Sequence, residues 1–169
     1  MDPIINKVAD SGLLTIDLEE LYLPGDRVSL DIAGWLFEGL VLREKDFRER
    51  IKTTDWSVYS GKLVAVHCSS DAIVPTWAYM LLAASLRPFA QKTHFGNLEE
   101  LEVALFDQTL HALDLTPYKD QRIVIKGCSR VKVPVSAYVT VTALLQPIAK
   151  SVFYGEPCST VPVFKRKGD

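Results

Sequence analysis

Short apolar, β-branched runs alternate with longer helical patterns along this chain. Leu63–His67 and Ile123–Lys126 are such runs, each closed by a Cys-Ser pair, and their continuous apolar character predicts strands buried on both faces. Pro75 and Pro134 come next, where a helix can begin without losing a needed N–H, and Pro88 and Pro147 stand where that helix must stop. Asn97 with Glu100 forms a capping-box pattern, and Leu98, Leu101, Leu105 and Leu113 follow at helical spacing. Glu44–Thr53 predicts a more polar helix. Upstream, Leu13–Leu18, Arg27–Ile32 after a Pro24-Gly25 turn, and Leu36–Leu42 predict strands that extend or cap the sheet.

The same sequence of signals occurs twice. Lys62–Gly96 lies over Arg122–Gly155, with Cys68, Val74, Pro75, Tyr79, Leu86, Pro88 and Gly96 matched by Cys128, Val133, Pro134, Tyr138, Leu145, Pro147 and Gly155. The spacing is 59 residues (Pro75 to Pro134) and rises to 60 at the strand and its Cys-Ser pair (Cys68 to Cys128), which implies a first loop one residue longer than the second. The expectation is an α/β fold, internally duplicated as helix-strand-helix-strand units that form a mostly parallel sheet with helices on both faces. Within one domain spanning 1–169, N-terminal strands occupy 1–43, the repeats occupy 44–96 and 103–155, and 156–169 is a loop and tail. If the repeats meet through their first strands, the strand order reverses at the centre, and a ligand crevice is expected there, beyond the strands' carboxyl ends.

Cys68 and Cys128 would flank that crevice. Neighbouring strands lie about 4.8 Å apart and a tetrahedral zinc site needs sulfurs roughly 3.8 Å from one another, so thiols on adjacent strands could share a metal. Cys158, in Gly155-Glu156-Pro157-Cys158, also follows a predicted strand. Three thiolates could hold zinc or an iron–sulfur cluster, with Glu156 or Asp71 as a fourth ligand. His67 precedes Cys68 directly and points to the opposite face of a regular strand. Ser69, Ser129 and Arg130 stand before helix starts, where hydroxyls and N–H groups can bind an anion. Two other readings of the same residues stay open. In one, the cysteines are inert small core residues of a non-catalytic interaction protein. In the other, a thiol activated by a helix N-terminus serves an enzyme acting on an anionic small molecule.

Composition narrows the class without naming a reaction. The chain has 169 residues and 18.9 kDa, with 48% hydrophobic and 24% charged residues, which is ordinary globular usage. A net charge of -2 gives no field that announces nucleic acid, and the apolar stretch Ala72–Leu86, interrupted by Pro75, is too short to span a membrane. Three cysteines and no basic-then-apolar leader at Met1–Gly12 predict a cytoplasmic protein without a disulfide framework. A second copy of the chain is a candidate partner.

The strings Asp31–Ile51, HCSSDAIVPTWAYMLL at His67–Leu82, FGNLEELE at Phe95–Glu102, KGCS at Lys126–Ser129 and GEPCSTVP at Gly155–Pro162 resemble an uncharacterised bacterial family of small single-domain proteins. That family carries only a domain-of-unknown-function label. The resemblance implies a genomic setting near iron–sulfur assembly genes, and hence iron–sulfur assembly proteins as partners, but no assigned activity or catalytic residues.

Overall fold

A computed structural model describes residues 12–127 and 130–167. The chain is a mixed α/β protein with mostly parallel sheets, and it divides into two compact units. One is the continuous stretch Pro24–Ala104; the other comprises the chain up to Leu23 and from Leu105 onward. The first is thus an insertion in the second.

The inserted unit holds β2 (Arg27–Asp31), α1 (Glu44–Thr53), β3 (Leu63–His67), α2 (Thr76–Leu86) and β4 (Lys92–Phe95). Its sheet runs β2-β3-β4, parallel throughout. Val64 and Val66 of β3 pack with Phe47 of α1 and Ala78, Leu82 and Leu86 of α2, while Leu63 and Ala65, on the alternate face, are fully buried as well. That two-sided burial explains why the strand reads as an unbroken apolar run.

The enclosing unit has β1 (Leu13–Asp17), part of α3 (Leu98–His111), β5 (Arg122–Lys126), α4 (Val135–Leu145), β6 (Ser151–Glu156) and β7 (Ser159–Lys165). Its sheet runs β1-β5-β6-β7, with β7 antiparallel at the edge. Phe106 and Leu110 of α3 and Ala137, Val141 and Leu145 of α4 share one core with Ile16, Ile123, Ile125 and Val152.

Backbone hydrogen bonds within one unit recur within the other at one spacing. Gln91 N donates to Lys62 O and Lys150 N to Gln121 O, each 59 residues on; so do Gly61 N to Phe89 O and Asp120 N to Ile148 O, and Ala90 N to Leu86 O and Ala149 N to Leu145 O. α2 and α4 are both 11 residues long, each begun by a proline whose carbonyl takes the N–H of Ala78 or Ala137. At α3 the capping box forms in full: Asn97 Oδ1 accepts from Glu99 N and Glu100 N, and Glu100 Oε2 accepts from Asn97 N.

Four expectations change. β3 and β5 begin at Leu63 and Arg122, 59 residues apart, and α2 and α4 at Thr76 and Val135, also 59 apart, so the two loops have the same length and at that spacing Cys68 falls on Gly127 and not on Cys128. The expected central reversal of strand order does not form, because β3 and β5 lie in separate sheets, flanked by the N-terminal strands β2 and β1. Leu36–Leu42 is not a strand: Phe37 and Val41 bridge across a tight turn in which Glu38 and Gly39 adopt φ of 52° and 70°. Ser159–Lys165, expected as loop and tail, forms β7; its Pro162 lies on the edge, where a missing N–H is tolerated, beside a register shift at Val152/Phe153.

Candidate functional site

The parallel strands of both sheets end, at their carboxyl edges, in loops that the chain's own carboxylates tie down. In the inserted unit Asp31 Oδ1 accepts from Ala33 N and from Ser69 N, both at 3.0 Å. Burial raises the Asp31 pKa, but hydrogen bonds from Ser69 and Ala33, with the nearby His67, more than offset it and hold the carboxyl below its ordinary value. Cys68 is half-buried; its Sγ lies 3.3 Å from Ser70 Oγ. His67 turns away from it, its Nε2 2.8 Å from Ser29 Oγ, so these sequence neighbours do not form a thiol–imidazole couple. Tyr79 packs edge-on against Phe95 at 4.8 Å, and burial, with Cys68 and Asp31 nearby, raises its phenol pKa.

In the enclosing unit Lys126 Nζ lies 3.3 Å from Asp17 and 3.9 Å from Glu156. The Asp17 hydrogen bond, then the charge of Glu156, raises the Lys126 pKa. Arg130 donates from its backbone N and its Nε to the two oxygens of Glu19, at 2.9 and 3.0 Å. Tyr138 O–H donates to Gly127 O. Where an external anion was expected, Ser69 and Arg130 therefore hold internal carboxylates, Asp31 and Glu19. Neither carboxylate stood out in the sequence; the parallel spacing of Asp17 to Glu19 and Asp31 to Ala33, each a carboxylate receiving an N–H two residues on, is the signal that marks such caps.

Two of the three cysteines of the expected thiol centre, Cys68 and Cys158, lie among the described residues. Cys68 follows β3 in the inserted unit, and Cys158 is exposed in the turn joining β6 to β7 in the enclosing unit. Cys128 and Ser129 lie outside the described residues. Asp71 is exposed, and Glu156 is engaged with Lys126. Among the described residues no three His, Cys, Asp or Glu side chains group closely enough to hold a metal ion.

A different feature of the enclosing unit is a groove of about 610 Å³ alongside α4. Val135, Val139 and Ala143 line one side, Tyr154 and Val163 the other, with Ile125 at its floor; none of its lining residues is charged. Its origin is topological. Crossover helices cover the strands they connect, but β7 arrives by a hairpin and brings no helix, so the sheet extends beyond its cover. No charged side chain occurs anywhere in α4, and large apolar side chains on such a helix are normally buried. Val135 is nevertheless 77% exposed and Val139 65%.

Family comparison covers nearly all of these elements: the profile of a family described as "Protein of unknown function (DUF2480)" matches residues 2–166. The chain belongs to the DUF2480 family. Comparison with curated proteins and with solved structures finds no match. DUF2480 membership thus agrees with the resemblance seen in the sequence and adds no chemistry. Among the described residues of this DUF2480 protein no helix is long and apolar enough to cross a membrane.

Proposed function

We propose that this is a non-catalytic interaction protein that docks an apolar partner surface along α4. The observation that carries this reading is the uncharged groove between α4 and the β6–β7 hairpin, bordered by large apolar side chains left open to water. Contiguous exposed apolar surface is scarce on proteins that act alone, because it costs solubility and offers nothing to stability. The carboxyl-edge loops support the reading from the other side: Ser69 N and Arg130 N and Nε donate to Asp31 and Glu19, which favours a structural role for Ser69 and Arg130. We also infer that the two units descend from one ancestral β-α-β-α-β unit, a reading supported by the recurring hydrogen bonds.

Anilinonaphthalene sulfonate, whose fluorescence rises on apolar surface, tests the docking face. The folded protein should enhance its emission, and Val139→Asp should remove most of that enhancement at unchanged far-ultraviolet circular dichroism. Equal emission from the two proteins would overturn the reading.

A further inference from the structure

We infer that the occupant of the α4 groove is a second copy of this chain, paired through α4 about a two-fold axis. This rests on the docking reading above and names its partner. The first argument is shape. Val135, Val139 and Ala143 recur every four residues on one side of α4, forming a narrow ridge that is itself the wall of the groove. A small apolar molecule lying in the groove would leave the crest of that ridge in water. An identical ridge laid into it covers floor and crest together, and the same act seats the first copy's ridge in the partner's groove, which is the self-complementarity an isologous contact requires. Valine and alanine also permit the 8–10 Å approach of packed helices.

The second argument is charge. Near a two-fold axis every group meets its own kind, so a charged patch repels its copy, whereas this one has no charge to repel.

The third is area. Val135, Val139, Tyr154, Val161 and Val163 are between 46% and 77% exposed and together present a patch of about 500 Å², at the upper end of what monomers leave open. Pairing two such patches buries roughly 1,000 Å² in all, at the lower limit of specific interfaces, so the dimer should be reversible and dissociate on dilution.

α2 supplies the control. It has the same length and no charged side chain, yet Met80, 59 residues before Val139 and similarly exposed, stands on a unit whose described strands include no counterpart of β7. The experiment is sedimentation velocity over roughly the micromolar to millimolar range that a small interface implies. Wild type should rise from one to two times 18.9 kDa with concentration. Val139→Asp and Val139→Lys should each stay at the monomer mass, an equimolar mixture of the two should regain the doubled mass, and Met80→Asp should behave as wild type. The rescue separates a symmetric contact at position 139 from mere misfolding of a variant. A wild type that stays monomeric throughout overturns the inference; if its dye emission still falls in Val139→Asp, the docking face survives with another occupant, and if it does not, both readings fail. A Met80→Asp protein that loses the dimer as fully as Val139→Asp also overturns it.

Discussion

The inserted and enclosing units run the same course of strand, helix, strand, helix, strand, and two of the differences between them fall at sheet edges. At the carboxyl edge, Asp31 lies opposite His67 in one unit and Asp17 opposite Lys126 in the other. At the lateral edge, the sheet of the inserted unit stops at β4, whereas the enclosing one goes on to β7. Interior positions hardly differ: Leu86 and Leu145 are both fully buried, as are Leu82 and Val141. The comparison teaches that packing fixes the shared architecture, while the added hairpin, by widening a sheet without adding a helix, leaves the apolar face that function can use.

Core substitutions test that likeness most severely. Leu86→Ala and Leu145→Ala should each cost about 2–5 kcal/mol in urea denaturation. Values that differ by more than about a factor of two would show that the two cores are not equivalent in how they collapse around the lost volume.

At the matched glycines the units should diverge. Gly155 has φ of 118°, and a Cβ there would stand 2.6 Å from the Ser159 carbonyl oxygen, a backbone atom that cannot move without opening the β6–β7 hairpin. Gly96, with φ of 133°, would instead meet the Glu100 carboxylate, the far end of a side chain. Gly155→Ala should cost about 1–3 kcal/mol and lower dye binding along with stability; Gly96→Ala should cost stability alone. The capping box offers a milder test, with Asn97→Ala lowering stability by about 1 kcal/mol.

Much of this was legible in the sequence. Glu44–Thr53 and Leu63–His67 are read there to the residue, because proline, capping and apolar runs act locally. Strand order was not, since two N-terminal strands could pair with β3 and β5 as well as those strands could pair with each other, and no local signal chooses. The Cys-Ser identity misled for a related reason: two matched letters outweighed the register that hydrogen bonding sets, under which Cys68 corresponds to Gly127. The groove escaped because Val135 and Val139 look like core residues, and only the missed β7 reveals a stretch of sheet that no helix among the described residues covers.

Acid should weaken a matching turn in each unit. Asp55 is held below its ordinary 3.8 by the Ser57 hydroxyl and amide, and Asp114 by Thr116 in the matching turn. A carboxylate so favoured adds stability that is present above the unfolded-state value and lost as pH falls through the folded one. The melting temperature should stay level from neutrality to about pH 5 and fall below pH 4, less steeply in Asp55→Asn. Stability that rises on acidification would contradict this. Smallest of all, Cys158→Ser, at an exposed turn position, should change stability by less than about 0.5 kcal/mol and leave any bound metal unchanged. Loss of stoichiometric metal from that variant would restore the three-thiol centre.

The most direct test of the account follows backbone amide chemical shifts as the protein is diluted. Changes should gather along residues 135–146 and 154–163, with residues 76–87 of the matching helix unmoved. Shifts that stay fixed at every concentration, or that move on α2 and not on α4, would contradict the claim that the α4 groove is where this protein meets its own copy.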